Sequence, residues 1–281
     1  MVRGFAAVLL LAALPVITAR AETPYARGAY LMSSIVACGN CHTPQGPNGP
    51  VAGRELAGGT EFDEPPFTAY APNITPDRET GIGAWTDAQI VAAIREGKRP
   101  DGSVIGPPMP IGRYRGMADS DVHALVVYLR KVKPVRNTVP KSVYRIPLPA
   151  SYGPPVGAVP DVPRTDKLAY GAYLGGPLGH CVECHSPMVD GRRDLTRAGA
   201  GGPPIAGPGG PVVPLNITPD RDHGIGAWTD AEIKRAITRG VDAHGRKLSP
   251  PMAYGYYAHM RAADLDALVG YLRSLKPIAS D

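Results

Sequence analysis

The feature that most constrains this chain is a duplication. Residues 28–134 align with 171–277 at a constant offset of 143, with no gap, and 47 of the 107 positions are identical. Each copy holds two of the four cysteines, in Cys38-Gly39-Asn40-Cys41-His42 and in Cys181-Val182-Glu183-Cys184-His185. Two copies that align this closely fold alike, so the chain is expected to contain a pair of equivalent units.

Cys-x-x-Cys-His is the attachment signature of a c-type haem. Two thiols at this spacing sit on one turn and reach the two vinyl groups of one porphyrin, and the adjacent histidine lies under the iron. A zinc half-site or a redox dithiol can share the spacing, but two copies that use all four cysteines favour two covalent haems. Composition agrees. Glycine and proline number 34 and 32, while phenylalanine appears three times and tryptophan twice. A polypeptide this poor in large apolar residues gains a core from a flat apolar cofactor, and without it folding should be weak.

Arg3, an apolar run from Phe5 to Thr18 and Ala19-Arg20-Ala21 read as a secretory signal over 1–21. The run is shorter than a membrane span and holds Pro15, which disfavours an anchor. Removing this segment leaves 28 basic and 25 acidic residues, about +3, and haem propionates bring the total near neutral. The basic residues are scattered, so neither nucleic acid nor an anionic lipid surface is indicated as a partner. No later stretch is long and apolar enough to span a bilayer.

Each copy is expected to form three helices. The first runs from about Tyr25 (Ala169 in the second copy) into the haem motif. The second begins after Thr86 or Thr229, each the cap of a capping box, and ends at Gly97 or Gly240. The third starts near Asp121 or Asp264 as N-cap, carries Val122, Leu125, Val126 and Leu129 at helical spacing, and stops at Lys133-Pro134 or Lys276-Pro277. A Gly/Pro-rich loop from Thr43 to Pro72 should fold over a haem edge. Residues 135–168 hold seven prolines and read as a semi-rigid strap between the copies.

The sixth ligand decides what each haem does, since a filled site carries electrons and an open one binds substrate. His42 and His185 are the proximal ligands. Met109 and Met252 are the expected distal ligands: each follows Pro-Pro and lies 67 residues after its histidine. Met117 and Met260 also obey the offset and compete for the role as residues on the haem face. None of His123, His180, His223, His244 and His259 has a histidine at its repeat-equivalent position, which excludes a symmetric bis-histidine pair. His180 is expected to face solvent or a propionate. Trp85 and Trp228 are candidates to donate to propionates, with Asn73 and Asn216 along the same edge; core packing and turn capping are the alternatives.

The run Asn73-Ile74-Thr75-Pro76-Asp77, Thr80-Gly81-Ile82-Gly83, Trp85-Thr86-Asp87 and Pro107-Pro108-Met109 resembles the cytochrome c subunits of membrane-bound alcohol, gluconate and sorbitol dehydrogenases. The resemblance covers nearly the whole mature chain. It implies one covalent haem c per module with His/Met ligation, a dehydrogenase as electron donor, and quinone or a terminal oxidase as acceptor. Those subunits carry three modules where this chain has two. The expected fold is all-α, with two tandem class I-like cytochrome c domains at 22–134 and 169–281 whose loops wrap each haem. The expected function is electron transfer in the periplasm, as a carrier or a dehydrogenase subunit. A dihaem peroxidase or a thiosulfate-oxidising protein is the competing reading, and each needs two dissimilar haems.

Overall fold

Helix α1, Pro24–Ser33, begins where the Thr23 hydroxyl accepts from the Ala26 amide at 3.2 Å and Pro24 occupies the first turn. We describe residues 21–279 of a computed structural model, apart from 48, 208 and 209; most of the proposed signal segment lies outside the described residues. Helix α1 lies against α5, Asp119–Leu129, and the contact is close because residue 28 has no side chain. A Cβ added at Gly28 would fall 2.1 Å from the Ala124 carbonyl oxygen. In the second half α6, Lys167–Tyr173, meets α10, Ala262–Ser274, in the same way, with Gly171 against the Ala267 carbonyl at 2.0 Å.

Between these helices come α2, Cys38–His42, α3, Asp87–Glu96, and α4, Ile111–Tyr114 in the first half. The second half has α7, Cys181–Cys184, α8, Asp230–Arg239, and α9, Tyr254–Tyr257. Both expected capping boxes form, Thr86 with Gln89 and Thr229 with Glu232, and Gly97 and Gly240 end α3 and α8 at φ 65° and 61°. Val122, Leu125, Val126 and Leu129 are all buried, as their spacing predicts. Leu125, Val126 and Leu129 join one core that continues through Leu31 and Ile35 to Leu174, Leu178 and Leu268 of the second half.

Two expectations change. The third helix starts earlier than Asp121, after Ala118, and its partner starts after Arg261; neither start carries a side-chain cap. Asp121 and Asp264 instead lie inside the first turn, buried, where long-range partners hold them. Among the described residues the fold is helix-rich with small sheets, at 34% helix and 9% strand, where an all-α fold is expected from sequence. Strands β1 (Gln45–Gly46) and β2 (Gly49–Pro50) pair in one hairpin, and β6 (Met188–Val189) and β7 (Arg192–Arg193) in another. Strands β3 (Glu61–Glu64), β4 (Phe67–Tyr70) and β5 (Val143–Tyr144) form an antiparallel sheet. In β4 the alternation turns Phe67 and Ala69 inward, a period of two inside a loop otherwise rich in glycine and proline.

Strand β5 belongs to the proline-rich strap, so the strap is bonded to the first half. Asn137 donates to the Ala57 carbonyl at 2.8 Å, Tyr144 to Pro107 at 3.1 Å and Tyr152 to Ile105 at 2.8 Å. The strap then passes Val159, whose carbonyl accepts from the Asp119 amide at 3.0 Å, and reaches Arg164, paired with Glu22 at 2.8 Å.

The two halves meet through reciprocal bonds. Tyr30 donates to Asp264 at 2.6 Å and its equivalent Tyr173 donates to Asp121 at 2.8 Å. Each phenol oxygen also accepts a backbone amide of the opposite half, Arg261 at 3.2 Å and Ala118 at 3.0 Å. Residue i of one half meets j of the other, and j meets i, which is the contact rule of a twofold relation. Arg27 breaks the symmetry: it binds both oxygens of Asp121, at 2.7 and 2.9 Å, where the second half has Tyr170.

Candidate functional site

Both Cys-x-x-Cys-His helices open after a residue in the left-handed region, Ala37 at φ 48° and His180 at φ 41°. Non-glycine residues seldom hold this conformation, and its presence at the same repeat position twice marks a shared local demand. The chain turns there and starts each short helix at its first cysteine. His42 and His185 end the motifs with matched geometry. His42 Nδ1 lies 2.8 Å from the Pro72 carbonyl oxygen, and His185 Nδ1 lies 2.6 Å from that of Leu215, its repeat equivalent. A carbonyl only accepts, so the hydrogen sits on Nδ1 and the Nε2 lone pair is left for a metal. Burial pulls both imidazoles below their ordinary pKa, against the carbonyl bond that raises it, so each stays neutral, the form that ligates.

The loops behind the histidines are tied back twice. The Gly58 amide donates to His42 O at 2.7 Å and Gly201 to His185 O at 3.1 Å. Gly58 has φ 73°, and a Cβ there would fall 2.4 Å from the Pro72 carbonyl carbon, so no other residue fits.

All four cysteines are free thiols. Burial pushes Cys38 and Cys181 up to about 12 and Cys41 up to about 11, Cys184 adding to the shift of Cys41. A reactive dithiol needs a depressed thiol pKa, and these are raised. Among the described residues no cluster of three His, Cys, Asp or Glu has the geometry to hold a metal ion. The donor set fits a haem c: two thiols on one turn, a neutral imidazole with a fixed tautomer, and soft thioethers elsewhere in each half.

Met109 and Met252 are half-buried against the core, each after a cis Pro-Pro bond and just before α4 or α9. Met117 and Met260 are buried inside the core, at 0% and 8% exposure. Each motif helix faces the opposite half. Asn40 donates to the Pro251 carbonyl at 2.9 Å, next to Met252. Its repeat equivalent Glu183 pairs with Arg113 of α4 at 3.1 Å. Tyr114 and Tyr257, repeat equivalents that are 4% and 8% exposed, lie beside the cysteines, and burial raises both phenols. The reading from sequence missed them, although their offset was the available signal.

His180, expected to face solvent or a propionate, is only partly open to solvent. It is partly buried, edge-on to Tyr114 with centroids 5.7 Å apart, and burial lowers its pKa to about 4. Asn73 is 3% exposed and fully engaged: it donates to Val135 O at 2.7 Å and Thr80 Oγ1 at 3.1 Å, and its carbonyl accepts from the Thr75 amide and hydroxyl. Asn216 repeats the pattern with Ile278 and Thr218. Trp85 and Trp228 pack against the core, their carbonyls held by Arg130 and Arg273. Neither indole N–H finds an acceptor among the described residues.

No family model matches the chain. It is, however, 33% identical over 214 residues to a diheme cytochrome c-type of Cereibacter sphaeroides, covering 72% of this chain and 69% of that protein. The chain belongs to the c-type cytochromes. Two longer relatives are themselves dehydrogenase subunits. This cytochrome is 32% identical, over 93% of its length, to the cytochrome c subunit of a quinone-type alcohol dehydrogenase of Gluconacetobacter polyoxogenes. To the fructose dehydrogenase cytochrome subunit of Gluconobacter japonicus it is 34% identical over 89%. The cytochrome spans 59% and 52% of these two proteins. The kinship supports covalent haem c and electron transfer. Among the described residues no helix is long and apolar enough to cross a membrane.

Proposed function

We propose that this cytochrome carries two covalent haems c and passes single electrons between redox proteins outside the cytoplasm. The first haem would be held by Cys38, Cys41, His42 and Met109, and the second by Cys181, Cys184, His185 and Met252. The observation that carries this reading is the duplicated Nδ1–carbonyl bond, which leaves an Nε2 donor in each half directly after a cysteine pair.

Bound haem supplies the one-electron chemistry. The chain holds each imidazole in one tautomer and raises its basicity through Pro72 or Leu215. A thioether from Met109 or Met252 favours the ferrous state and raises the potential, as does the buried setting. Trp85 and Trp228, with free indole donors, are proposed at the propionate edges. Asn73 and Asn216 are proposed to shape that edge by tying its loop. Because each motif helix is bonded to the opposite half, Asn40 to the Pro251 carbonyl and Glu183 to Arg113, electrons entering one half are proposed to pass to the other.

Domains at 22–134 and 169–281 joined by the strap are part of this proposal, as are export by residues 1–21, a dehydrogenase donor, and a quinone-linked or oxidase acceptor. The test is the purified holoprotein. Pyridine haemochrome analysis should return two haems per chain, and the fully reduced protein should bind no carbon monoxide. One haem per chain, or stoichiometric carbon monoxide binding, would overturn the reading.

A further inference from the structure

The second Cys-x-x-Cys-His motif is fenced by charges that the first lacks. Glu183, inside the motif, accepts from Arg113 Nε of α4 at 3.1 Å. Its other oxygen lies 3.8 Å from Nε of Arg193, the last residue of β7. Arg193 also donates from Nη1 to the Ser186 carbonyl at 3.1 Å, one residue beyond His185. The Arg193 side chain is 14% exposed, and its Nε has no hydrogen-bond partner among the described residues. Two guanidiniums thus share one carboxylate, which leaves a surplus positive charge against the motif.

Neutral residues hold all three equivalent positions around the first motif. Asn40 stands for Glu183, Tyr256 for Arg113 and Pro50 for Arg193. Asn40 donates to the Pro251 carbonyl at 2.9 Å, and the Tyr256 phenol bonds the Thr43 side chain. The same two contacts between halves are therefore made without charge on one side and with charge on the other.

This difference reaches the groups that would hold the cofactor. Burial pushes the Cys184 thiol up, the Arg193 charge pulls it back down, and Glu183 adds a smaller rise. Burial lowers the His185 imidazole, the Leu215 carbonyl raises it, and Arg193 lowers it further. At Cys38, Cys41 and His42 burial again leads, but only thiols and backbone groups act beside it. Lys98, Arg99 and Glu64 of the first half act on none of these three.

A fixed cation beside an iron porphyrin opposes the extra positive charge of the ferric state and favours the ferrous one. We infer that Arg193 holds the second haem at the higher potential, so that an electron taken up by this protein rests mainly in the second half. One electron then leaves the first site, which is oxidised, and reduces the second, with no bond broken and no proton moved. This rests on the two-haem reading above and adds a direction to it.

Redox titration of the complete holoprotein tests this, with haem content measured on every sample. Wild type should show two distinct potentials. Arg193→Gln should lower the upper one about tenfold in its one-electron equilibrium, about 59 mV, and leave the lower one in place. Arg193→Lys should restore most of the gap. Glu183→Gln should raise the upper potential, because it removes the carboxylate and leaves both cations. A general loosening of the fold would move both glutamine variants the same way, whereas charge moves them apart. Both shifts should persist at high salt, since a buried charge is screened little. If Arg193→Gln fails to fold, the sign of the Glu183→Gln shift decides alone. A single wild-type potential, a shift of the lower potential in Arg193→Gln, a lysine variant no better than glutamine, a fall or no change in Glu183→Gln, or shifts lost in salt would each overturn the inference. Two haems per chain with such a result refutes the role of Arg193 alone, whereas a wild-type count other than two refutes the reading beneath it.

Discussion

Tyr30 gives its phenol hydrogen to Asp264 at 2.6 Å, and Tyr173 gives the matching hydrogen to Asp121 at 2.8 Å across the same contact. Both carboxylates are buried, at 4% exposure. Removing either hydroxyl leaves a carboxylate short of a donor in a place water reaches poorly. Tyr30→Phe and Tyr173→Phe should each cost about 1.5–3 kcal/mol in denaturant unfolding of the holoprotein, the range for a hydrogen bond to a charged group. Asp121 keeps Arg27, so the Tyr30 variant should suffer more. Equal loss in the two variants would count against Arg27 as the compensating partner.

Helix contact at Gly28 and Gly171 makes a second prediction. With the added Cβ 2.1 and 2.0 Å from a carbonyl oxygen, alanine at either site forces the helices apart. Gly28→Ala and Gly171→Ala should each lower stability by about 1–3 kcal/mol or more, read as a drop in melting temperature. Gly112 and Gly255 have open space at the same test, and alanine there should be nearly silent.

Met109→Ala and Met252→Ala address the proposed ligands. Each variant should bind one carbon monoxide per chain when reduced, with a lowered potential at one haem, and the double variant should bind two. Met117→Leu, in the core, should bind none. Six-coordinate spectra and unchanged potentials in both alanine variants would remove these methionines from the site.

Acid sensitivity should trace in part to Glu22. Burial alone raises its carboxyl, but hydrogen bonds from Arg261 and Arg164 outweigh that and bring it from 4.5 to about 2. A depressed acid is ionised in the folded state when the unfolded chain has begun to take up protons, so its contribution is whole above pH 4.5. It declines as pH falls toward 2. Unfolding midpoints of wild type and Glu22→Gln should differ by a constant amount above pH 4.5 and converge below it. A gap that widens with acid would contradict the assignment.

Local rules made much of the fold legible. Thr86 and Thr229 cap helices because the residue three places on completes the box, and such information is contiguous in the chain. Asp121 and Asp264 were misread for the same reason. They sit where a cap would be expected, but their partners Arg27, Tyr173 and Tyr30 are remote, and no local pattern announces a bond across half the chain. The partial burial of His180 has the same origin, since it lies edge-on to Tyr114, a residue remote in the chain. The small sheets escaped notice because four residues of alternation are easily lost among prolines. At the candidate site the cysteines and histidines were plain from spacing, whereas the accepting carbonyls of Pro72 and Leu215 are backbone atoms that carry no residue signature. The duplicated offset also carries Tyr114 with Tyr257 and Arg130 with Arg273, two identical pairs.

The reciprocal contact between the halves has a bearing on ancestry. A patch that recognises its own copy is what a self-associating single-module protein would carry, with two identical chains meeting face to face. Joining two such copies on one polypeptide fixes their ratio at one to one and frees each to change alone. Arg27 opposite Tyr170 records such a change, and a homodimer would have had to accept the same substitution on both sides of its axis at once.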